Sequence, residues 1–257
     1  MALGFFAAWQ VLSYLCRRIG RRFDPLGNLV MLLMLSGVVG SRIAYVIEHW
    51  SSEFAADPGS VIRIDQGGLM FYGGFILAAA VFAGWCFIRK EKPLALADLL
   101  CVVLPLGHAF GRIGCFFYGC CYGRVCDCAA AVSFPRGSPA WYEQVNAGRI
   151  ASAAKESMPV LPTQLFEAGA NLLLFLALFL FYRRFGRGTT ALYLIGYAIV
   201  RFGMEYLRGD PRAAVGPFSI SQTISLALLS IGVALLFVFL KTPNAETAAR
   251  LENGVAR

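Results

Sequence analysis

Long apolar stretches separated by short charged turns dominate the pattern along this chain. Six of them, near 26–47, 68–88, 94–117, 163–182, 189–207 and 217–240, meet the requirement of ~20 mainly apolar residues for a helix crossing a bilayer. A further run, 2–16, is apolar but short. It has neither the basic n-region nor the small-residue cleavage site of a signal peptide, and reads as a first membrane helix whose beginning is missing or re-entrant. The pattern predicts an all-α integral membrane protein of about seven transmembrane helices. Residues 1–240 are expected to form a single polytopic domain with an outer loop at about 118–162. Residues 241–257 are expected to be a polar, frayed tail.

The turns set the expected orientation. Arg17, Arg18, Arg21 and Arg22 follow the first run, Arg89, Lys90 and Lys92 the third, and Arg183, Arg184 and Arg187 the fifth. They alternate with turns carrying Glu48, Glu53, Asp57 and Asp65 or the mixed charges of 124–156. The positive-inside rule then puts the N-terminus outside and the C-terminus in the cytoplasm.

Composition agrees: 58% of the 257 residues are hydrophobic and only 15% charged, too apolar for a soluble domain of this size. The net charge of +8 is not a nucleic-acid footprint, because the basic residues sit in short turns beside apolar segments where they fix topology.

The informative residues are ionisable groups inside the apolar runs: Arg42, Asp98, His108, Arg112, Glu167, Arg201 and Glu205. An arginine at mid-membrane costs ~3 kcal/mol or more, so such groups pair, line a wet cavity or bind something charged. Arg201 and Glu205 share a helix face at i, i+4, as do His108 and Arg112, a like-charged spacing that favours a neutral His108. Buried structural ion pairs would explain one such couple. Three arginines, each in a separate run, against three acids favour a phosphate-binding cavity, since guanidinium offers a planar fork to phosphate.

Two glycine-rich segments flank these charges: Gly67–Gly74, with Tyr72 before Gly73 and Gly74, and the run from Gly111 to Arg124. Their glycines allow close helix packing or close approach of backbone to a ligand.

Taken in order, five segments resemble the prolipoprotein diacylglyceryl transferase family: Gly40–Tyr45, Gly67–Gly74, Gly111–Arg124, Pro162–Glu167 and Tyr197–Arg208. The resemblance, from about Arg42 to Asp210, implies a bacterial inner-membrane enzyme. Such enzymes move a diacylglyceryl group from phosphatidylglycerol to the cysteine thiol of a prolipoprotein and release glycerol phosphate. By position, Arg112 falls on the family's signature arginine and Arg201 on a second arginine implicated in the lipid phosphate site. Glu205 follows at the family's spacing, Gly123 matches a signature glycine, and Gln164 and Glu167 match the element opening the next helix. Donor binding is accordingly expected from Arg42, Tyr72, Gly73, Gly74, Arg112, Gly123, Gln164, Glu167, Arg201 and Arg208.

The chain also departs from the family's pattern. Tyr72 stands where a histidine is usual, Cys115 and Tyr118 where two asparagines are, Cys120 where a glutamate is, and Leu161 where a histidine often begins the Pro-Thr-Gln element. The phosphate grip is kept while the acid/base set is rebuilt with thiols and His108.

Of eight cysteines, Cys115, Cys120, Cys121, Cys126 and Cys128 crowd one helix end. Adjacent Cys120 and Cys121 are poorly placed to pair with each other, so a disulfide from one of them to Cys126 or Cys128 and a functional thiol are both open readings. No cofactor is expected. Zinc is a lesser reading of the cluster, since the paired Cys-x-x-Cys knuckles of zinc sites are missing, and no metal ligand is assigned. As a functional thiol, Cys120 or Cys121 would be activated by Arg112 and by His108 as proton acceptor, and would attack the glycerol carbon beside the phosphodiester. Arg112, Arg201 and Glu205 complete this expected catalytic set, and the first acceptor could be an enzyme thiol. Open alternatives are a paralogue with another acceptor, a membrane thiol–disulfide oxidoreductase, and a non-catalytic lipid-binding bundle. The oligomeric state is not legible.

Overall fold

A computed structural model of the protein describes residues 2–55, 57–63, 67–209 and 214–241. The expected polar tail, from 242 onward, lies outside the described residues. Among the described residues there are seven long helices: α1 (Ala2–Arg18), α2 (Asp24–Glu48), α3 (Phe71–Arg89), α4 (Pro93–Tyr118), α6 (Thr163–Phe185), α7 (Thr189–Glu205) and α8 (Ile220–Lys241). There are also a short helix, α5 (Pro139–Asn146), and a two-stranded ribbon, Ala214–Val215 with Phe218–Ser219. Each apolar run has become a helix within a few residues of its expected limits. Five of them (α2, α3, α4, α6 and α8) are long and apolar enough to span a bilayer, whereas α1 and α7 have 17 residues each. Large apolar side chains such as Phe75, Ile76, Phe87 and Phe237 stand exposed, as lipid-facing residues do.

The chain forms two compact units, Leu12–Leu96 and Met1–Val11 with Ala97–Arg257. In the first unit, α2 and α3 pack through glycine. A Cβ on Gly73 would lie 2.4 Å from the Gly40 carbonyl oxygen, and one on Gly74 2.5 Å from that of Gly37. Gly73 and Gly74 therefore let two backbones touch, the small-residue packing of membrane helices. Beyond α2, a π-turn (Trp50–Phe54) and a 3₁₀ turn (Pro58–Ile62) lead towards α3. On the other side, Arg21 pairs with Glu91 at 2.5 Å, tying the turn after α1 to the turn after α3.

In the second unit, α6, α7 and α8 pack in sequence order. Cys101, Leu178 and Tyr193 form a core joining α4, α6 and α7. Asp98 on α4 fixes the start of α7. Its carboxylate accepts from the backbone N–H of Gly188 (2.8 Å) and of Thr190 (2.7 Å), and its carbonyl accepts from the Thr189 hydroxyl (2.5 Å). One of the charges inside an apolar run is thus an N-cap delivered by a neighbouring helix.

Residues 119–162 form an ordered head with its own small core of Tyr122, Phe134, Ala140 and Val160. Ser138 caps α5 by accepting from Trp141 N–H, and Gln144 accepts from Met158 N–H at 2.7 Å.

Candidate active site

Three side chains of α4, His108, Arg112 and Cys115, fall at i, i+4 and i+7 and so share one face. With Gly107, Gly111, Glu167 of α6 and Tyr197 of α7 they line a cavity of about 230 Å³. Arg112 Nη2 lies 3.0 Å from Glu167 Oε1, the carboxylate almost fully buried and the guanidinium one-fifth exposed. Arg112 is thus paired and still open to the cavity. The His108 ring lies beside the stacked Tyr197 and Tyr193 rings, with centroids at 5.0 and 6.3 Å. Its Nδ1 is buried with no hydrogen-bond partner among the described residues.

Arg201, on α7, forms the second charged couple. Its Nη2 lies 3.0 Å from Glu205 Oε2 and donates to Ser221 Oγ of α8 at 2.8 Å. Pairing one helical turn apart lets α7 carry both charges through an apolar environment.

The end of α4 turns sharply. Gly119 takes the left-handed conformation (φ 77°) and its N–H and that of Cys120 both return to the Cys115 carbonyl, at 3.0 and 3.1 Å. Cys121 is also left-handed (φ 63°), uncommon for a residue with a side chain. Gln164 Nε2 donates to the Cys120 carbonyl (2.7 Å) and Thr163 Oγ1 to that of Cys121 (3.0 Å), so the Pro-Thr-Gln element clamps this turn. The result gathers the sulfurs of Cys115, Cys120 and Cys121 within 4.8 Å of one another.

Beyond the turn, residues 122–124 thread between two other segments. Gly123 N–H donates to the Leu161 carbonyl (2.8 Å) and Arg124 N–H to that of Leu207 (3.0 Å), forming a bridge at Gly123 and Arg208. A Cβ on Gly123 would stand 2.7 Å from Leu161 Cβ, the Leu207 oxygen and Thr163 Cγ2 alike, so no larger residue fits. This knot brings the Arg208 guanidinium close to the Cys121 sulfur. The Cys121 thiol is held well below the ordinary cysteine range, first by the Cys115 thiol donating to it and then, against burial, by Arg208 and Arg112. Burial pushes the Cys120 thiol up.

The remaining candidates have other surroundings. Arg42, in the first unit, donates from Nε to Val61 O (2.8 Å), from Nη2 to Ser60 O (2.8 Å), and from Nη1 to Gly67 O (3.0 Å) and Gly68 O (3.1 Å). Four carbonyls and the Phe54 ring, 5.2 Å away, hold this guanidinium as a clamp between Ser60–Val61 and Gly67–Gly68. Tyr72 is half exposed, edge-on to Phe71. The disulfide links Cys126 to Cys128, and not either to Cys120 or Cys121 as one expectation had it; Cys120 and Cys121 are free. Sequence reasoning passed over Cys115, although its distance from Arg112 puts it on the same helix face, and Tyr197, one turn before Arg201.

Residues 1–238 match the family model described as prolipoprotein diacylglyceryl transferase. The chain belongs to that family. Among its relatives is phosphatidylglycerol–prolipoprotein diacylglyceryl transferase 2 of Clostridium perfringens, 35% identical over 84% of this chain and 79% of the relative. The enzyme of the same name from Pseudoalteromonas translucida is 34% identical over 88% and 80%, and that of Solidesulfovibrio magneticus 32% over 91% and 86%. The five segments that carry the resemblance, Gly40–Tyr45 through Tyr197–Arg208, therefore lie inside a family match that takes in every long helix but the last few residues of α8.

Proposed function

We propose that this chain transfers the diacylglyceryl group of phosphatidylglycerol to a cysteine thiol of a prolipoprotein in the bacterial cytoplasmic membrane. The observation that carries this reading is a single cavity in which a glutamate-paired arginine, Arg112, meets His108 and the edge of a thiol cluster. The reaction forms a C–S bond at the glyceryl carbon and breaks that carbon's bond to the phosphate oxygen, so negative charge grows on the departing glycerol phosphate. Arg112 faces that charge, and Arg201, set by Glu205 and Ser221, supplies a second guanidinium of the donor site. Preformed donors aimed at developing charge lower the barrier without reorganising. Arg208, Gly123 and Gln164 hold the turn that carries the thiols. In the other unit, Gly73 and Gly74 set the close α2–α3 contact, and Arg42 clamps the carbonyls of Ser60, Val61, Gly67 and Gly68. His108, Cys120 and Cys121 form the acceptor side, His108 receiving a thiol proton.

Thiol–disulfide exchange has no use for two buried arginine–glutamate couples, and passive lipid binding has none for a thiol cluster at the cavity's edge. The test is incubation of the purified protein with phosphatidylglycerol and a cysteine-bearing lipoprotein signal peptide, followed by mass spectrometry. A diacylglyceryl adduct on the peptide cysteine, absent with the serine peptide, is expected. No adduct under conditions in which a family enzyme works refutes the reading.

A further inference from the structure

The geometry points to a three-thiolate site for a soft divalent cation, zinc foremost, made by Cys115, Cys120 and Cys121, whose open fourth position takes the acceptor thiol. Zinc–sulfur bonds of ~2.3 Å place tetrahedral sulfur ligands ~3.8 Å apart. The three sulfurs here already lie within 4.8 Å of one another, so small rotamer shifts close the site.

The sequence spacing conceals this site, because Cys120 and Cys121 are adjacent and Cys115 belongs to the preceding helix. The left-handed turns at Gly119 and Cys121 bring all three to one point, the second of them in a conformation that side chains disfavour. Gln164 and Thr163 hold the carbonyls of Cys120 and Cys121, and the Arg208 guanidinium lies near the Cys121 sulfur. These are the outer contacts that orient metal ligands, and a guanidinium offsets the net negative charge of a divalent ion on three thiolates. Cys126 and Cys128, in the same loop, are joined to each other, while the three clustered thiols are free.

Three protein ligands with one position open is the arrangement of catalytic rather than structural zinc. A thiol that coordinates the ion gives up its proton. The acceptor cysteine would bind through sulfur and lose its proton to His108 or solvent. Its sulfur lone pair then forms the C–S bond as the glyceryl C–O bond breaks, the electron pair leaving with the phosphate. The neutral thioether is a weak ligand and departs, restoring the open position. Cys115 lines the same cavity as Arg112, so the activated sulfur and the departing phosphate would share that space. No oxidant or reductant is required.

This acceptor role rests on the proposed transfer reaction, whereas metal binding does not, and the experiment separates them. Full-length protein, purified in detergent and reduced without chelator, is titrated with zinc or cobalt(II) in the absence of air. The expected result is roughly one ion per chain with thiolate-to-cobalt absorption. Cys115→Ser, Cys120→Ser and Cys121→Ser should each lose it, and the Cys126→Ser, Cys128→Ser double variant should keep it. A cysteine acceptor peptide should shift the cobalt ligand-field bands, and its serine analogue should not. Reduced protein that binds neither ion stoichiometrically, or binding that survives all three single serine variants, overturns the site. A spectrum indifferent to the cysteine peptide overturns the acceptor position.

Discussion

Truncating the Arg112–Glu167 pair, singly and together, probes the feature on which the donor site depends. The two groups meet at 3.0 Å, with side chains 20% and 3% exposed, so each single truncation leaves a charge that water barely reaches. Removing one member of such a buried pair costs ~3–5 kcal/mol. Glu167→Ala should cost the most, because the stranded guanidinium cannot shed its proton, whereas a lone carboxyl neutralises itself by taking one up. In the double variant no charge is stranded, so its cost should fall short of the sum of the singles by ~2–3 kcal/mol, towards the top of the range for contacting residues. Unfolding of detergent-solubilised protein by SDS, followed through helicity, measures the wild type and the three variants on one scale. Additivity within ~0.5 kcal/mol would mean that the pair is not formed in the protein, and the picture of Arg112 as held by Glu167 would fail.

Asp98→Ala strands two backbone donors at the start of α7, each bond to the carboxylate being worth ~1.5–3 kcal/mol, and should lower thermal stability well beyond Asp98→Asn, which keeps one acceptor. Equal melting temperatures for the wild type and Asp98→Ala would remove the cross-helix cap. A cysteine introduced near Gly148, in a background without native thiols, should be labelled by a membrane-impermeant reagent from outside; labelling only from the cytoplasm reverses the proposed orientation. Once transfer is established, His108→Ala and serine at Cys120 or Cys121 should each lower it at least ~10²-fold, the lower range for a general base. Full activity in all three would leave the arginines as the whole site.

Helix limits were legible because bilayer thickness imposes one length and one polarity on every spanning segment. The charged couples were half legible: i, i+4 spacing announces Arg201 with Glu205, but no local rule joins Arg112 to Glu167 across two helices. The structural partners of Arg42 and Asp98 were not legible because they are backbone groups, the carbonyls of Ser60, Val61, Gly67 and Gly68 and the N–H groups opening α7, which carry no residue identity to read. The gathering of Cys115, Cys120 and Cys121 depends on two left-handed residues, Gly119 and Cys121. For the glycine such a turn is an easy guess. For the cysteine nothing in the sequence suggests it.

The central claim is that guanidinium forks at Arg112 and Arg201 grip the donor's phosphate during transfer. It is tested most directly by measuring diacylglyceryl transfer from phosphatidylglycerol to an acceptor peptide with alanine and lysine at each position, in variants first checked for insertion and helicity. Transfer should be lost with alanine at either position and recovered poorly by lysine, a point charge without the bidentate fork. Wild-type rates in both alanine variants would contradict the account.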